Sequence, residues 1–325
     1  MISIITCTGR TEPLWEEFID SLVVSLAKCP HPAELIVVDM KLWDDDNAAV
    51  GDRREKLERA VKGRISYRHV PPKPCPWQGR YRKTKRDYSA HNCARNTGIA
   101  LARGGYIVMV DDCIVVDEYW YTHHFRSAIG GTAMAGAFKS YDSAVIERGQ
   151  IVSGALCSGQ DTRLDLGGTG MRPCTGAWLW GLACGFPLKY LLMVDGYDEI
   201  YNSQSGGDDC DLGLRVERAG CKVFYNPECF VYQIMTTHEA ICNNEASGWP
   251  KGPDKQKELQ LRSGRVAYSN EMLIQNLLDD KDRIWTVGNE YPIKDLRERA
   301  LLTGTFPTEF AIEKHWVDGQ PLSEM

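Results

Sequence analysis

The stretch from Tyr106 to Asp112 constrains the fold of this chain more than any other. Five apolar residues, Tyr-Ile-Val-Met-Val, follow a Gly-Gly pair and end at two adjacent acids, Asp111 and Asp112. A short apolar run bounded in this way predicts a β-strand that is buried on both faces. Ligands of open parallel α/β sheets bind at the carboxyl ends of the strands, so the two acids indicate a ligand site. A solvated Asp-Asp turn after a core strand is the alternative interpretation.

The N-terminal residues predict a strand, a helix and a second strand. Residues 2–5 read Ile-Ser-Ile-Ile, and residues 35–38 read Leu-Ile-Val-Val before an acid, Asp39. Between them, apolar residues recur at helical spacing over residues 14–26, and Thr11 is the predicted N-cap. This order predicts a βαβ unit with parallel pairing and a right-handed crossover. Asp39 is therefore expected at the same sheet edge as the acid pair.

A basic stretch precedes the central strand. The elements around it are a predicted surface helix over 53–62, a third strand over 65–70, a proline-rich loop over 71–76 and a helix over 87–103. Five cations, interleaved with aromatic residues, fall close together at Arg80, Arg82, Lys83, Lys85 and Arg86. They indicate a surface that binds an anion, either a diphosphate or a nucleic-acid backbone. A solvated loop is the alternative.

The composition bounds the class of protein. A chain of 325 residues with 43% hydrophobic and 25% charged residues is long enough for one large or two modest domains with buried cores. The formal net charge of −6 argues against a surface that coats nucleic acid generally. Twelve scattered cysteines without a CxxC pair disfavour a disulfide framework and a zinc cluster. No apolar run in the sequence approaches the roughly 20 residues of a membrane span, so we expect a cytoplasmic protein.

Two series of segments, taken in order, resemble a known enzyme family. The first comprises residues 3–5, 35–39, 94–100 (Ala-Arg-Asn-Thr-Gly-Ile-Ala) and 110–112 (Val-Asp-Asp). It resembles the nucleotide-binding half of GT-A glycosyltransferases of the family 2 type. The second comprises residues 178–181, 191–199, 206–215 and 219–225, with Asp208 and Asp209 after a glycine pair. It is similar to the segment of galactosyltransferase-type relatives in which an acidic pair opens a helix.

The resemblance implies a GT-A fold, an α/β architecture with a Rossmann-like, mostly parallel central sheet flanked by helices. We expect residues 1–240 to form one glycosyltransferase domain, with a nucleotide-sugar half over 1–115 and an acceptor half over 116–240. Residues 241–325 match no family and are expected to form a mainly helical extension. Amphipathic helices are predicted there over 271–278 and 294–302.

The same resemblance implies a donor site for a nucleoside-diphosphate sugar, in the first instance a UDP-sugar. Asp39 is expected to bind the nucleobase, Arg95 the diphosphate, and Asp111 the ribose or a water on the metal. Thr6, Thr8 and Arg10, in the turn expected after the first strand, complete the predicted donor site.

A divalent cation, Mn²⁺ or Mg²⁺, is the implied cofactor, because a hard cation neutralises the charge that develops on a departing diphosphate. Asp112 is the predicted metal ligand, with Asp111 beside it. The usual Asp-x-Asp spacing is absent, since Cys113 occupies the third position and a cysteine suits a hard metal poorly. Relatives complete the metal shell with a histidine where this chain has Gln233. His238, five residues on, is the predicted substitute or else a surface residue.

Asp209 is the implied general base, which accepts the proton of an acceptor hydroxyl, and Asp208 is expected to orient that hydroxyl. A single base opposite the leaving group implies in-line displacement with inversion. Stabilisation of a helix dipole is the alternative role of both acids.

The acceptor is expected to be a glycan or a polymer precursor, or else a hydroxylated base in DNA bound through the basic stretch. A non-catalytic sugar- or nucleotide-binding protein is the alternative from another class. A nucleotidyltransferase is disfavoured, because no glycine-rich phosphate loop follows the first predicted strand.

Overall fold

A single mixed β-sheet runs through the computed structural model, which describes residues 1–42, 48–76, 78–82, 89–157, 159–202, 207–235, 279–286 and 288–309. Its strands are β1 (Ile2–Thr8), β2 (Ala33–Asp39), β3 (Ser66–Val70), β4 (Tyr106–Val110), β5 (Ile114–Val116), β6 (Ala133–Glu147), β7 (Gln150–Leu156), β8 (Arg172–Pro173), β9 (Ala183–Pro187) and β10 (Val223–Ile234). The order along the sheet is β3-β2-β1-β4-β9-β6-β10-β5, with β7 paired to β6 and β8 to β10.

Helices flank the sheet. They are α1 (Trp15–Ala27), α2 (Ala48–Val61), α3 (His91–Leu101), α4 (Trp120–Gly130), α5 (Leu188–Met193), α6 (Asp208–Arg218) and α7 (Ile293–Thr303). Within the described part of the chain, no helix combines the length and the apolar character that crossing a bilayer requires.

The N-terminal strands pair in parallel, as the βαβ pattern predicts. β1 lies between β2 and β4, and β2 pairs with β3. β4 then meets β9 in antiparallel register, which joins the second half of the chain to the first. β10 pairs in parallel with β6 and antiparallel with β5. The predicted parallel sheet is therefore the core of a larger mixed sheet.

Side chains that alternate along the strands pack into two hydrophobic layers, one on each face of the sheet. Ile5 and Met109 belong to one layer, which includes Leu212 of α6. Ile4 and Val108 belong to the other, which also receives α1. Because successive side chains of a strand point to opposite faces, two adjacent residues at the end of a strand face different layers.

Three local predictions need correction or refinement. β1 continues to Thr8, so Thr6 and Thr8 are buried strand residues and not part of a turn. Thr11 is not the N-cap of α1, because the helix begins at Trp15 and shows no side-chain cap bond. The backbone N–H of Leu14 is donated to the Asp112 carbonyl at 3.3 Å, which ties the start of α1 to the end of β4. The helix predicted over 53–62 is α2, which begins earlier.

The helix predicted over 294–302 is confirmed as α7, and it packs on α3. Arg297 donates to the carbonyls of Ala100 (3.1 Å) and Ala102 at the C-terminal end of α3. These are carbonyls that a helix end leaves without intrahelical partners, so Arg297 caps α3. The helix predicted over 271–278 lies outside the described residues.

Candidate active site

A cavity of about 90 Å³ lies at the carboxyl ends of β1 and β4, where the sequence predicts the donor site. The wall residues that carry its chemistry are Cys7, Met40, His91, Arg95, Asp111 and Gly181. Cys7 and Asp111 come from the ends of β1 and β4, and Arg95 comes from the middle of α3. The predicted strand-end site is thus a real concavity at the expected edge of the sheet.

Arg95 is the cation around which this cavity is organised. Its Nη1 atom contacts Asp208 Oδ2 and lies 3.5 Å from Asp209 Oδ1, so α3 and the first turn of α6 meet at this side chain. His91, one helical turn before Arg95, places Nε2 3.3 Å from Asp208 Oδ2. The guanidinium also lies over the ring of Tyr197, 4.8 Å from its centroid. Two of the predicted donor and catalytic residues, Arg95 and Asp208, are therefore in direct contact.

The pKa values of Asp208 and Asp209, the first two residues of α6, are shifted in opposite directions. Burial raises the pKa of Asp208, but Arg95 and His91 outweigh that effect and hold the pKa below its ordinary value. Burial also raises the pKa of Asp209, and Arg95 only partly offsets this because the Asp208 charge lies nearby. Asp209 Oδ1 is buried and accepts no hydrogen bond from the described residues. Such a division between neighbouring carboxyls is typical of acid-base sites.

Gly181 gives Arg95 and Asp209 the room to approach each other. A Cβ atom built on Gly181 would lie 2.7 Å from Asp209 Oδ1 and 2.9 Å from Arg95 Nη2. Any larger residue would therefore push one of these charged groups away. The sequence resemblance includes Gly181 only as part of residues 178–181, without this role.

Asp111 and Asp112 point to opposite faces of the sheet. Asp111 faces the cavity, and its pKa is raised to about 6 by burial, which the Arg95 charge only partly counters. Asp112 faces the α1 side, where Oδ1 accepts a hydrogen bond of 2.6 Å from Arg10 Nε. Both side chains of this ion pair are 7% exposed. The adjacent acids thus have separate partners.

Asp39 also lies on the α1 side, and its carboxylate is fully engaged. Oδ1 accepts from Lys41 N (2.9 Å) and Arg53 Nη2 (2.9 Å). Oδ2 accepts from Arg53 Nε (2.8 Å) and lies 3.0 Å from His69 Nε2. Because a carboxylate has about four lone-pair positions, a nucleobase would reach Asp39 only by displacing one of these groups. The predicted base-binding role of Asp39 remains a prediction.

The loop over residues 194–202, here called the hub loop, holds α3 in place. Asn96 Nδ2 donates to the Tyr197 carbonyl (2.9 Å) and to Glu199 Oε1 (3.0 Å), and Asn96 Oδ1 accepts from Tyr197 N (2.9 Å). Lys73 forms a buried ion pair with Glu199 at 2.9 Å. Since Asn96 adjoins Arg95, these bonds fix the rotation of α3 that points Arg95 at α6.

Buried charges join the hub loop to α6 and to residues 279–286 and 288–309, here called the C-terminal segment. Arg215 and Asp211, both fully buried on α6, form an ion pair at 2.6 Å. Arg215 Nη1 also donates to the Val194 carbonyl at 2.7 Å. Arg283 Nη2 lies 2.9 Å from Asp198 Oδ2 and 3.8 Å from Asp211 Oδ1. Residues after 278 therefore support the helix that carries Asp208 and Asp209.

Several predicted site residues are not in the cavity or lie outside the described residues. The predicted residues that lie outside the described part of the chain are His238, Lys83, Lys85 and Arg86. Arg80 and Arg82 are exposed, and Arg80 lies over the Tyr81 ring, 5.0 Å from its centroid. Gln233 is 7% exposed and accepts a hydrogen bond of 3.1 Å from Ser140.

The described carboxylates suit a divalent cation in their chemistry. Among the described residues, no group of three or more His, Cys, Asp and Glu side chains forms a candidate metal shell. Asp111 and Asp112 supply carboxylate oxygens, the ligands that Mg²⁺ and Mn²⁺ prefer. Burial raises the pKa of Asp111, and a bound cation would oppose that shift by stabilising the charged carboxylate. Mg²⁺ commonly binds through one or two carboxylates together with substrate phosphates and water, so Asp111 alone would suffice on the cavity face. Asp112, on the opposite face, would take part only by giving up its ion pair with Arg10.

The structure adds residues that the sequence analysis missed. His91 and Gly181 line the cavity, and Arg53 and His69 engage Asp39. His91 had a detectable signal, because residues four apart on a helix share a face with each other and His91 precedes Arg95 by four. The partners of Asp39 had none, since Arg53 lies on a polar surface helix by its sequence pattern.

Comparisons with solved structures show the same fold. The structure of S. aureus TarS 1-349 matches 85% of this chain and 72% of its own, at 12% identity and a TM-score of 0.50. TarS 1-349 in complex with UDP-GlcNAc matches 80% of this chain and 64% of its own, at 11% identity and a TM-score of 0.51. GalNAc-T7 with UDP, GalNAc and Mn²⁺ matches 87% of this chain and 55% of its own, at 13% identity and a TM-score of 0.50.

These likenesses confirm the predicted GT-A fold, and at such low identity they show the fold alone. No protein-family model matches the sequence, and no curated protein sequence matches it.

Proposed function

We propose that this chain is a glycosyltransferase that transfers a sugar from a UDP-sugar to a hydroxyl acceptor. The observation that carries the proposal is the position of Arg95, which lines the strand-end cavity of a GT-A fold together with Asp111 and pairs with Asp208 and Asp209 at the start of α6. The structural neighbours support the donor class, since TarS was solved with UDP-GlcNAc and GalNAc-T7 with UDP, GalNAc and Mn²⁺.

On the donor side, Arg95 binds the diphosphate, and a Mn²⁺ or Mg²⁺ ion would be held by Asp111 on the cavity face, or by Asp112 in exchange for its ion pair with Arg10. When bound, this cation neutralises the negative charge that develops on the leaving nucleoside diphosphate. Arg10 and the strand residues Thr6 and Thr8 complete the donor site. The buried Thr6 hydroxyl has no hydrogen-bond partner among the described residues, which supports a polar role for it.

On the acceptor side, Asp209 accepts the proton of the attacking hydroxyl. Its raised pKa brings its basicity nearer to neutrality, and its side chain is 21% exposed, so an acceptor hydroxyl can reach the carboxylate. The Asp208 contacts with Arg95 and His91 both fall on Oδ2, so Oδ1 can orient the acceptor. One base opposite the leaving group gives in-line displacement with inversion.

We assign the donor to residues 1–115, the acceptor to residues 116–240 and a supporting role to the extension over 241–325. The acceptor class that we propose is a glycan or a polymer precursor. No observation on the described residues favours the alternative of DNA as the acceptor. The alternative is a protein that binds the sugar nucleotide without catalysis. It would have the same donor site as a glycosyltransferase but would show no turnover.

Thermal unfolding with UDP and Mn²⁺ tests the donor site. At a hundredfold excess over the dissociation constant, we expect the melting temperature to rise by roughly 5 °C. Chelation of the metal should remove most of this rise. An unchanged melting temperature with UDP, GDP, ADP and CDP, each with Mn²⁺, would contradict the proposal.

A further inference from the structure

The β6–β7 hairpin, here called the arch, lies near β5 and β10, at the end of the sheet opposite to β3. Its turn residues, Arg148 and Gly149, both have positive φ (51° and 74°), as a two-residue type I′ turn requires. The backbone of Gly149 rests on α1, since an added Cβ atom would lie 2.6 Å from Ser21 Cα. Glycine at this position therefore lets the hairpin tip close onto the helix.

A groove of about 310 Å³ lies beneath this arch, between the hairpin, β5 and β10. This volume falls at the lower end of the roughly 300 to 1,000 Å³ range of small-molecule sites. The side chains that give the groove its character are Asp117, Glu118, Lys139, Tyr141, Gln150 and Tyr232. None of them lines the cavity around Arg95, so the arch groove is a second concavity.

Two tyrosine rings form an aromatic corner in the arch groove. Tyr141 and Tyr232 lie edge to face, with centroids 6.3 Å apart and an interplanar angle of 62°. Phe230 stacks parallel to Tyr232 at 6.1 Å, and Lys139 Nζ lies 5.1 Å from the Phe230 ring centroid. These contacts hold Tyr232 and the Lys139 chain in place, so the corner is preformed.

The remaining groups of the groove are hydrogen-bonding groups of both kinds. Asp117 Oδ1 accepts from Tyr119 N at 2.9 Å, and Glu118 pairs with Lys28 at 2.9 Å, which orients both carboxylates from outside. Gln150, at the hairpin tip, is exposed and offers an amide that donates and accepts. The groove thus combines an aromatic corner with acceptors and donors.

We propose that the arch groove binds a neutral saccharide, a sugar unit of the acceptor remote from the one that is modified. A pyranose ring has an apolar C–H face for Tyr141 or Tyr232 and hydroxyls that pair with carboxylates and amides. Asp117 and Glu118 disfavour a phosphate or a nucleic acid, and the polar lining disfavours a lipid chain. The assignment of the saccharide as acceptor rests on the proposed function, whereas the binding itself does not.

Saturation-transfer NMR with maltotriose, cellotriose and chitotriose tests the groove, with UDP and Mn²⁺ present to occupy the donor site. We expect at least one of the three sugars to bind. The Tyr141→Ala and Gln150→Ala variants should each weaken that binding by about three- to tenfold, since each loses one contact. Gln150 is exposed, so its replacement leaves folding intact even if Tyr141→Ala proves unstable.

Tyr291→Ala is the matched control, because Tyr291 makes its hydroxyl contact with the Glu309 carbonyl outside the groove. Binding of none of the three sugars overturns the proposal, as does equal binding by parent, Gln150→Ala and Tyr291→Ala. The shift in melting temperature with UDP and Mn²⁺ should survive in Gln150→Ala. A missing shift in the parent would contradict the donor site and leave saccharide binding to be judged on its own result.

Discussion

At the scale of single residues, the electrostatic difference between Asp208 and Asp209 predicts which of them does chemistry. Asp208 is held ionised by Arg95 and His91, so its carboxylate is a weak base. Asp209 has a raised pKa and an oxygen that accepts no hydrogen bond from the described residues, so it binds a proton more readily. The N-cap of α6 is Gly207 and shows no side-chain cap bond, so neither acid is needed as a cap.

Asp209→Asn separates catalysis from stability. The amide keeps the shape of the side chain but cannot accept the acceptor proton, so turnover should fall by roughly 10² to 10⁴. The folded pKa of Asp209 is raised, so its charge opposes folding above the unfolded pKa. Removing that charge should leave the melting temperature at neutral pH unchanged or higher. Transfer rate, UDP affinity and melting temperature are measured for the same variant.

Asp165→Asn is the matched control, because Asp165 is an exposed acid on the 3-10 turn Thr162–Leu166 and does not line the cavity. It should retain full turnover. Near-normal turnover in Asp209→Asn would remove the base from the mechanism and make Asp208 the next candidate. A loss of UDP affinity equal to the loss of rate would point to a donor-side role.

If Asp112 is a metal ligand as predicted, Arg10 competes with the metal for its carboxylate. Replacing it by Ala leaves a buried carboxylate without its cation, which should destabilise the protein by about 3 to 5 kcal/mol. Mn²⁺ should restore part of that loss, because it pairs with the vacated carboxylate. We therefore expect Mn²⁺ without nucleotide to raise the melting temperature of Arg10→Ala more than that of the parent.

Arg68→Ala is the comparison for Arg10→Ala, since Arg68 pairs with Glu34 at 2.9 Å away from the predicted metal ligands. Mn²⁺ should not rescue it. An equal response to Mn²⁺ in Arg10→Ala and Arg68→Ala would show that Asp112 is not a metal ligand. Mn²⁺ binding followed by electron paramagnetic resonance gives a second readout that needs no activity.

Strand alternation explains which residue placements the sequence could predict. It indicated the edge at which Asp39, Asp111 and Asp112 lie, because all follow buried strands. The sequence could also have predicted that Asp111 and Asp112 point to opposite faces of the sheet, since adjacent residues of a strand do so. Contacts between distant segments, such as Gly181 with Arg95, could not be predicted, because they depend on how α3 and the loop before β9 pack together.

At the scale of elements, the C-terminal segment is a structural support for α3 and α6. Asp195 accepts from Thr286 Oγ1 (2.6 Å) and from the N–H of Ile293 (2.5 Å), and Asp198 pairs with Arg283. The C-terminal segment thus binds the hub loop, which also accepts hydrogen bonds from Asn96 and Arg215. A change in this segment should therefore affect Asp208 and Asp209, the predicted catalytic acids, through α6.

Arg283→Met tests this support. It leaves Asp198 buried without its cation, so the free energy of unfolding should fall by about 3 to 5 kcal/mol. Denaturant titration measures this change. Arg299→Ala, on the exposed face of α7, should change it by no more than about 0.5 kcal/mol. Equal small effects in both variants would mean that the segment does not support the core.

The sequence predicted the elements whose patterns are local. The strands β1 to β4 and the helix α7 follow from apolar runs and helical spacing, and the helix α6 was expected from the family resemblance. The β6–β7 hairpin was not predicted, because residues 143–147 read Ser-Ala-Val-Ile-Glu without strict alternation and the turn is Arg-Gly, not the typical Asn-Gly or Asp-Gly. β9 was also missed, because its Ala-Cys-Gly-Phe-Pro sequence has little β-propensity and depends on pairing with β4 and β6.

At the scale of the whole molecule, the sheet continues without a break past the end of the predicted donor half. β4, its last strand, is paired on one side with β1 and on the other with β9, which lies more than seventy residues later. The hub loop and the C-terminal segment supply further partners of α3. The predicted halves of the domain are therefore parts of one folding unit.

A fragment of residues 1–115 should accordingly fail to fold alone. Without β9 one edge of the apolar strand β4 is unpaired, and an exposed apolar edge favours aggregation. Circular dichroism during urea titration should show a cooperative transition for the full chain and none for the fragment. Well-dispersed amide signals from the fragment in a proton–nitrogen NMR spectrum would contradict this expectation.

The pairing of β4 with β9 also has a consequence during synthesis. The ribosome finishes Val110 well before it adds Ala183, the first residue of β9. At translation rates of about 5 to 20 residues per second, β4 waits roughly 4 to 15 s for its second neighbour. Over that time the most apolar strand of the donor half is open to other nascent chains. The yield of this protein in a cell should therefore depend on chaperones that act before release from the ribosome.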